Sequence, residues 1–333
     1  MIHQLELPII EMLQSFGLKF EAFWSAITFL GDETFYLLFM PMVFWCVDAL
    51  AGFRIGVMLL FSASTNGIFK LIFKSPRPYW VSDKIKAGAF HGSFGLPSGH
   101  SQNAAAVWGW TAREINKPWA KWVAGILIFL IGVSRIVLGV HFISDVLLGW
   151  LLGAVLVLLF ARNLKQLSQT MIKLSLNRKL VLTLITTLLF ILIPVLLTML
   201  SSNWQANPEW IARAEEVDPM NLDGTLTTAG IWFGMLAGFS ILLHQKGLLQ
   251  AQLGSWQKIL RYLVGILGVF GLYAGLGSLF PRDLGIVSML LRFLRYALVG
   301  AWITWWSPLL FQKLGIGKIS PHLPSQTTAP EEL

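Results

Sequence analysis

The chain has 333 residues, 55% of them hydrophobic and 13% charged, with a mean hydropathy of +0.66, a balance outside the range of soluble domains. Its one cysteine, Cys46, excludes an intramolecular disulfide and a cysteine-based metal cluster. A net charge of +8 raises nucleic acid as a partner, a question settled by where the basic residues lie.

The composition predicts an all-α, polytopic membrane helix bundle. Residues 1–22 show no cationic leader followed by a small-residue cleavage site, so no removable signal peptide is expected there. Leu5, Ile9, Met12, Leu13 and Phe16 instead fit an amphipathic helix lying in the membrane interface. Hydropathy then predicts nine spans, at about 25–47, 51–73, 98–113, 119–138, 142–161, 180–200, 226–243, 258–280 and 288–311. Trp45, Trp80, Trp119, Trp122, Trp150, Trp204 and Trp256 stand beside these runs, as interfacial aromatics do. Asp32 and Glu33 fall in the first, where they either precede the true span or face a polar cavity or its rim.

Charge sets the orientation. Residues 162–179 hold five cations and no acid, whereas residues 201–225 hold five acids and Arg213. By the positive-inside rule the first of these loops is cytoplasmic, with the Arg113/Lys117/Lys121 and Lys246/Lys258 loops and the Lys313/Lys318 segment. The amino terminus is then outside and the carboxyl terminus inside. Topology thus accounts for the positive charge, and nucleic acid is not expected as a partner. The span at 258–280 carries Gly271-x-x-x-Gly275, expected to serve close helix packing within the chain, with a dimer seam as the alternative. Residues 318–333 read as a disordered tail.

Ionisable residues inside apolar segments cost roughly 2.5–3.5 kcal/mol each, so each needs a partner or a task. Lys70 lies near the outer end of the second predicted span, with Arg77-Pro78-Tyr79-Trp80 seven residues on. Singly, these read first as a snorkelling lysine and an interfacial arginine. Leu96-Pro97-Ser98-Gly99-His100-Ser101 is a small-residue turn where an apolar helix begins. Its free N–H groups and Gly99 allow an anion to approach, though Ser98 could simply cap the helix. Ser134 and Arg135 precede a tight turn to His141 and Asp145, which share a helical face at i, i+4. A carboxylate there can hold the Nδ1 proton and leave Nε2 free as a nucleophile; a polar packing pair or half of a metal site remain alternatives.

Under the charge-derived topology all three segments reach the same outer face. Lys70, Arg77 and Arg135 would then supply three cations to one phosphate, two of them able to fork onto its oxygens. His141, aligned by Asp145, would attack phosphorus, and His100 would protonate the departing oxygen and later activate water.

These segments match K-x6-R-P, P-S-G-H and S-R-x5-H-x3-D at every position and in order, and the chain resembles the type 2 phosphatidic acid phosphatase superfamily. The resemblance spans Lys70 to Asp145. It implies a metal-independent, cofactor-free phosphatase using a phosphohistidine, with Lys70, Arg77, Ser98, Gly99 and Arg135 binding phosphate and His141, His100 and Asp145 catalytic. A phosphatase core over 23–162 followed by four further spans over 163–317 is the domain organisation expected. The preferred substrate is a lipid phosphate, phosphatidate or an isoprenyl phosphate or diphosphate, met within the bilayer. The Arg77-Pro78-Tyr79-Trp80 tetrapeptide and the nine spans are similar to the glucose-6-phosphatase branch, which makes a sugar phosphate the alternative. An anion-binding transporter using the same cations is the alternative of a different class. The sequence leaves the oligomeric state open.

Overall fold

A computed structural model describes residues 2–89, 91–214, 217–250, 254–280 and 285–321. Among these residues the chain is all-α apart from one antiparallel pair of two-residue strands, β1 (Leu248–Leu249) and β2 (Ile319–Ser320). The second strand falls at the start of the segment expected to be a tail; residues 322–333 lie outside the described residues.

Among the described residues, seven helical stretches are long and apolar enough to cross a membrane: 49–81, 118–137, 143–173, 176–200, 223–245, 255–279 and 286–313. An eighth candidate is bent by 42° between the helices of residues 3–29 and α3 (Glu33–Cys46). The bend falls where Gly31 and Asp32 interrupt the apolar run, and Asp32 Oδ1 accepts the Thr34 N–H at 2.8 Å, capping α3. The segment expected to cross at 98–113 is α6 (Gly99–Ile115). At 17 residues and with His100, Ser101, Gln102 and Asn103 in its first turns, it is too short and polar-headed to count with the seven.

The chain divides into two compact units that interleave in sequence, 1–37 with 55–172 and 188–229, and 38–54 with 173–187 and 230–333. In the first unit, α1 (Ile2–Gly17) buries Ile10 and Gln14 and exposes Leu5, Ile9, Met12 and Phe16. Its inner face is tied down: the Gln14 side chain donates to Lys86 O and accepts from Lys86 N, and Glu6 accepts from Ser144 N and Oγ. Its apolar stripe is what an interfacial helix needs on its lipid side.

The polar head of α6 is buried but satisfied. Asn103 accepts from Ser62 Oγ at 2.7 Å, while Gln102 accepts from Asn66 at 2.9 Å and donates to Ser62 O and Thr65 Oγ1 on α4 (Ala49–Phe73). Such pairing removes the cost of burying amides in an apolar bundle. Two glycines bring α8 (Ile143–Lys173) onto α6: a Cβ at Gly149 would stand 2.8 Å from Ser98 O, and one at Gly153 2.5 Å from Gln102 O. The start of α6 is thereby fixed against the start of α8, and Ser98 N donates to Asp145 O at 3.0 Å.

The second unit packs α11 (Asp223–Gln245) on α14 (Ile286–Ala301) through Gly230 and Gly234. In α12 (Ser255–Phe270), Gly265 meets the Trp45 ring and Gly268 the Trp302 ring. The expectation for Gly271 and Gly275 is corrected. They bound a π-turn, and a Cβ on either would meet nothing within 4 Å; Gly268 and Gly265, earlier on the same helix, make the close contacts.

Candidate active site

The site forms in the first unit where four segments meet. The carboxyl end of α4 carries Lys70, and Arg77 immediately precedes the short helix α5 (Pro78–Val81). The loop between α5 and α6 supplies His91, Ser93 and Phe94. Ser98 is the N-cap of α6, Gly99 its first residue and His100 its first turn. Arg135 ends α7 (Pro118–Val137), and a turn at Gly139, with φ +69°, leads to His141 and then Asp145 at the start of α8. That positive φ suits glycine and reverses the chain within a few residues.

His141 and Asp145 are buried, and Nδ1 of His141 lies 3.1 Å from Oδ2 of Asp145. The same oxygen accepts the Phe142 N–H at 3.0 Å, so the carboxylate is itself held in place. Gly95 leaves room for it: a Cβ there would stand 3.0 Å from Asp145 Oδ2 and 2.5 Å from Pro76 O. Burial, then the charge of Arg77, holds the His141 imidazole well below its usual pKa and hence neutral. With Nδ1–H donated to Asp145, Nε2 presents a lone pair, and Arg77 Nη1 lies 3.2 Å from it.

Arg77 is locked from four sides. Its Nε donates to Ser93 O at 2.7 Å, Nη1 to Val140 O at 2.9 Å, and Nη2 to Ser93 Oγ and Phe94 O. Lys70 Nζ donates to Ser93 Oγ at 3.2 Å and to Phe94 O. Both cations therefore converge on one stretch of loop. Arg135 comes from the other side, donating from Nη1 to Thr28 Oγ1 at 2.6 Å, with Nη2 3.0 Å from His91 Nε2. Its Nε is buried and has no partner among the described residues, as is Oδ1 of Asp145.

Ser98 Oγ accepts from Ser101 Oγ and N, which closes the α6 cap from within. A Cβ at Gly99 would stand 3.1 Å from Asn66 Oδ1, so the residue sits in a tight place. His100 Nε2 is 3.7 Å from Asp32 Oδ2, a second histidine–carboxylate pair beside the first. Asp32, predicted to face a cavity or rim, reaches the site from the break before α3.

All eight residues singled out in the sequence, Lys70, Arg77, Ser98, Gly99, His100, Arg135, His141 and Asp145, thus lie in this unit. Sequence reasoning missed His91, Thr28, Ser93 and the role of Asp32 opposite His100. None of these stands at a motif spacing, and only the fold brings them in.

Such an arrangement, a carboxylate-aligned neutral imidazole facing fixed guanidinium groups, suits attack on an anionic phosphorus centre. Comparison with known proteins agrees. Residues 51–169 match the PAP2 superfamily model, and residues 226–319 match the PAP2 superfamily phosphatase transmembrane extension. Phosphatidylglycerophosphatase B of Bacillus subtilis (strain 168) is 30% identical over 164 residues, 44% of this chain and 77% of that protein. The chain belongs to the PAP2 superfamily. It is an integral membrane protein and a phosphoric monoester hydrolase. Glucose-6-phosphatase 3 of Homo sapiens is 28% identical over 328 residues, covering 87% of this chain and 89% of that one. A probable sphingosine-1-phosphate phosphatase of Dictyostelium discoideum is 32% identical over 107 residues, and this match spans only 25% of its length.

Proposed function

We propose that this PAP2 phosphatase hydrolyses a lipid phosphate, without a metal ion, through a phosphohistidine on His141. The observation that carries the reading is the Asp145–His141–Arg77 line, with its Nε2 lone pair 3.2 Å from a guanidinium that a bound phosphate oxygen can take over. The Nε2 pair attacks phosphorus in line as the P–O bond to the leaving group breaks, and His100 gives that oxygen its proton. His100, now neutral, takes a proton from water as the water attacks phosphorus and the P–N bond breaks. Phosphate leaves, and His100 is protonated again. Lys70, Arg77, Arg135, Ser98 and Gly99 hold the phosphoryl oxygens. Asp32 Oδ2, 3.7 Å from His100 Nε2, gives that imidazole a carboxylate partner in the step in which it carries the proton.

A lipid substrate is supported by two relatives whose names state lipid phosphates, and by the apolar helices from which the site is built. A chain-bearing substrate can remain in the leaflet while its head enters. The sugar-phosphate reading is favoured by one observation, the near end-to-end similarity to glucose-6-phosphatase 3, which extends through the second unit. Initial rates in mixed micelles, with a chelator present, on phosphatidate, an isoprenyl phosphate and glucose 6-phosphate separate the readings. The lipid is expected to be turned over faster; a tenfold preference for the sugar phosphate, selectively impaired by Glu33→Gln, overturns the assignment. Loss of all activity in chelator, restored by a divalent ion, overturns metal independence. Absence of phosphate release from every ester leaves the anion-binding transporter.

We further propose nine crossings, counting α6 and the expected crossing at 25–47, with the site on the non-cytoplasmic face. The phosphatase core would then be 23–162, with α1 in the outer interface. In a Cys46→Ser background, Lys84→Cys should react with an impermeant thiol reagent in intact cells and Gln169→Cys should not. The reverse pattern inverts the topology.

A further inference from the structure

Arg135 is the one site arginine whose guanidinium is not fixed by main-chain carbonyls among the described residues. Arg77 donates to three of them, at Ser93, Val140 and Phe94. Arg135 has only two side-chain partners, Thr28 Oγ1 at 2.6 Å and His91 Nε2 at 3.0 Å, one on each terminal nitrogen. Two anchors at the two ends of the fork define its plane. They leave Nε buried and without a partner among the described residues, a donor that nothing else in the protein has taken.

An imidazole can accept from a guanidinium only while it is neutral. His91 meets that condition, because burial, and then the charges of Arg77 and Arg135, hold its pKa down to about 2. Its position is also set by the backbone. The His91 N–H donates to Tyr79 Oη at 2.9 Å, and Tyr79 Oη donates to His91 O at 3.0 Å. The hydroxyl thus clips both polar groups of one residue, in a loop that otherwise lacks regular structure, to the tetrapeptide that also supplies Arg77. A run of contacts connects Tyr79, His91, Arg135 and Thr28, and each step is a hydrogen bond or close polar contact.

We propose that His91, together with Thr28, is a positioning residue that fixes the Arg135 guanidinium for phosphate, although it lies outside all three sequence motifs. The inference rests on the phosphatase site assigned above. Neither residue touches the reacting atoms. Their effect passes through Arg135, so it should appear in every step in which that arginine holds a phosphoryl group.

The test uses the full-length enzyme in detergent, with phosphate release and vanadate inhibition measured for His91→Ala, His91→Gln, Thr28→Val and Arg135→Lys. His91→Ala is expected to lower kcat/KM about 10- to 100-fold, the scale of one hydrogen bond to a charged group, and to raise the vanadate inhibition constant in parallel. His91→Gln, whose amide oxygen can accept from Arg135, should recover most of both. Thr28→Val should behave as a weaker His91→Ala. In an Arg135→Lys background, His91→Ala should add little, since the fork it orients is gone. Unchanged kcat/KM and vanadate inhibition in both His91 variants overturns the proposal, as do fully additive losses with Arg135→Lys. A loss of folded protein shared by His91→Ala and His91→Gln assigns His91 to the loop's structure and also overturns it. His141→Ala, measured alongside, keeps the two levels apart: if it retains activity the site reading fails, whereas a dead His141→Ala with indifferent His91 variants sinks only this inference.

Discussion

Two buried arginine sites in this chain make opposite use of the same side chain. In the second unit, Arg261 has no exposed surface and its guanidinium donates to main-chain carbonyls alone: Nε and Nη2 to Ile316 O at 3.1 and 3.0 Å, Nη1 to Trp45 O and Gln250 O. The Phe311 ring lies 5.9 Å below. Each of these contacts joins one chain segment to another. In the first unit, Arg77 reaches the nucleophile candidate at 3.2 Å and Arg135 keeps Nε unpartnered. An arginine whose donors are all taken by carbonyls is a structural bolt. One that keeps a donor free, or shares it with an imidazole, is ready for a ligand.

That contrast is broken most directly at its two extremes. His141→Ala should yield folded protein with no detectable turnover, because no other group is placed to attack, and wild-type rates would end the mechanism. Arg261→Met should do the reverse. It strands three main-chain carbonyls, two of them buried at about 1–3 kcal/mol each, so the yield and melting temperature in detergent should fall while kcat of the surviving folded enzyme stays near wild type. A catalytic defect in well-folded Arg261→Met would erase the distinction. His100→Ala comes next, with a loss of roughly 100- to 10,000-fold that shrinks on substrates with good leaving groups.

Arg135→Lys sharpens the comparison at smaller scale. The ammonium keeps the charge but cannot hold Thr28 and His91 while presenting a third donor, and a loss of about 10- to 100-fold in kcat/KM is expected with unchanged melting temperature. Activity equal to wild type would mean that charge alone suffices there.

How much of this was legible beforehand follows from what each residue must do. The eight site residues stood out because ionisable or small polar groups at fixed spacings are conspicuous in an apolar chain. His91 did not, since a histidine in a polar loop carries no periodicity, and its meaning comes only from Arg135, 44 residues away. Arg261 was equally silent: nothing in its helix distinguishes an arginine bound for carbonyls from one bound for phosphate. The all-α membrane class followed from composition. The crossing at 25–47 reads differently in the structure because Gly31 and Asp32 break the helix, and the one at 98–113 because α6 gives its first turn to buried polar contacts. The Gly271/Gly275 pair misled because spacing locates a smooth face without saying what lies against it.

The smallest effect, and the one that separates the two regions without touching turnover, is the response of stability to acid. His91 and His141 are both held neutral in the folded protein, the first with its pKa down to about 2 and the second well below its ordinary value. In the unfolded chain each titrates near 6.5. A depressed folded pKa means that the unfolded state binds the extra proton. The contribution is therefore complete above about pH 6.5 and is lost as pH falls below it, at about 1.4 kcal/mol per pH unit for each histidine. Because the nucleophile is already neutral, the same fall in pH should not protonate His141 in the native enzyme at mildly acidic pH. The acid limb contributed by its titration should lie well below 6.5. Thermal unfolding in detergent at pH 7.5, 6.0 and 5.0 should thus show a steepening loss that His91→Gln reduces by the share of one histidine. In the second unit the Arg261 network contains no group that titrates in this range, so Arg261→Met should shift the whole curve down and leave its slope alone. A slope unchanged in His91→Gln would mean that His91 takes up its proton in the folded state, and its role as an acceptor for Arg135 would fall with it.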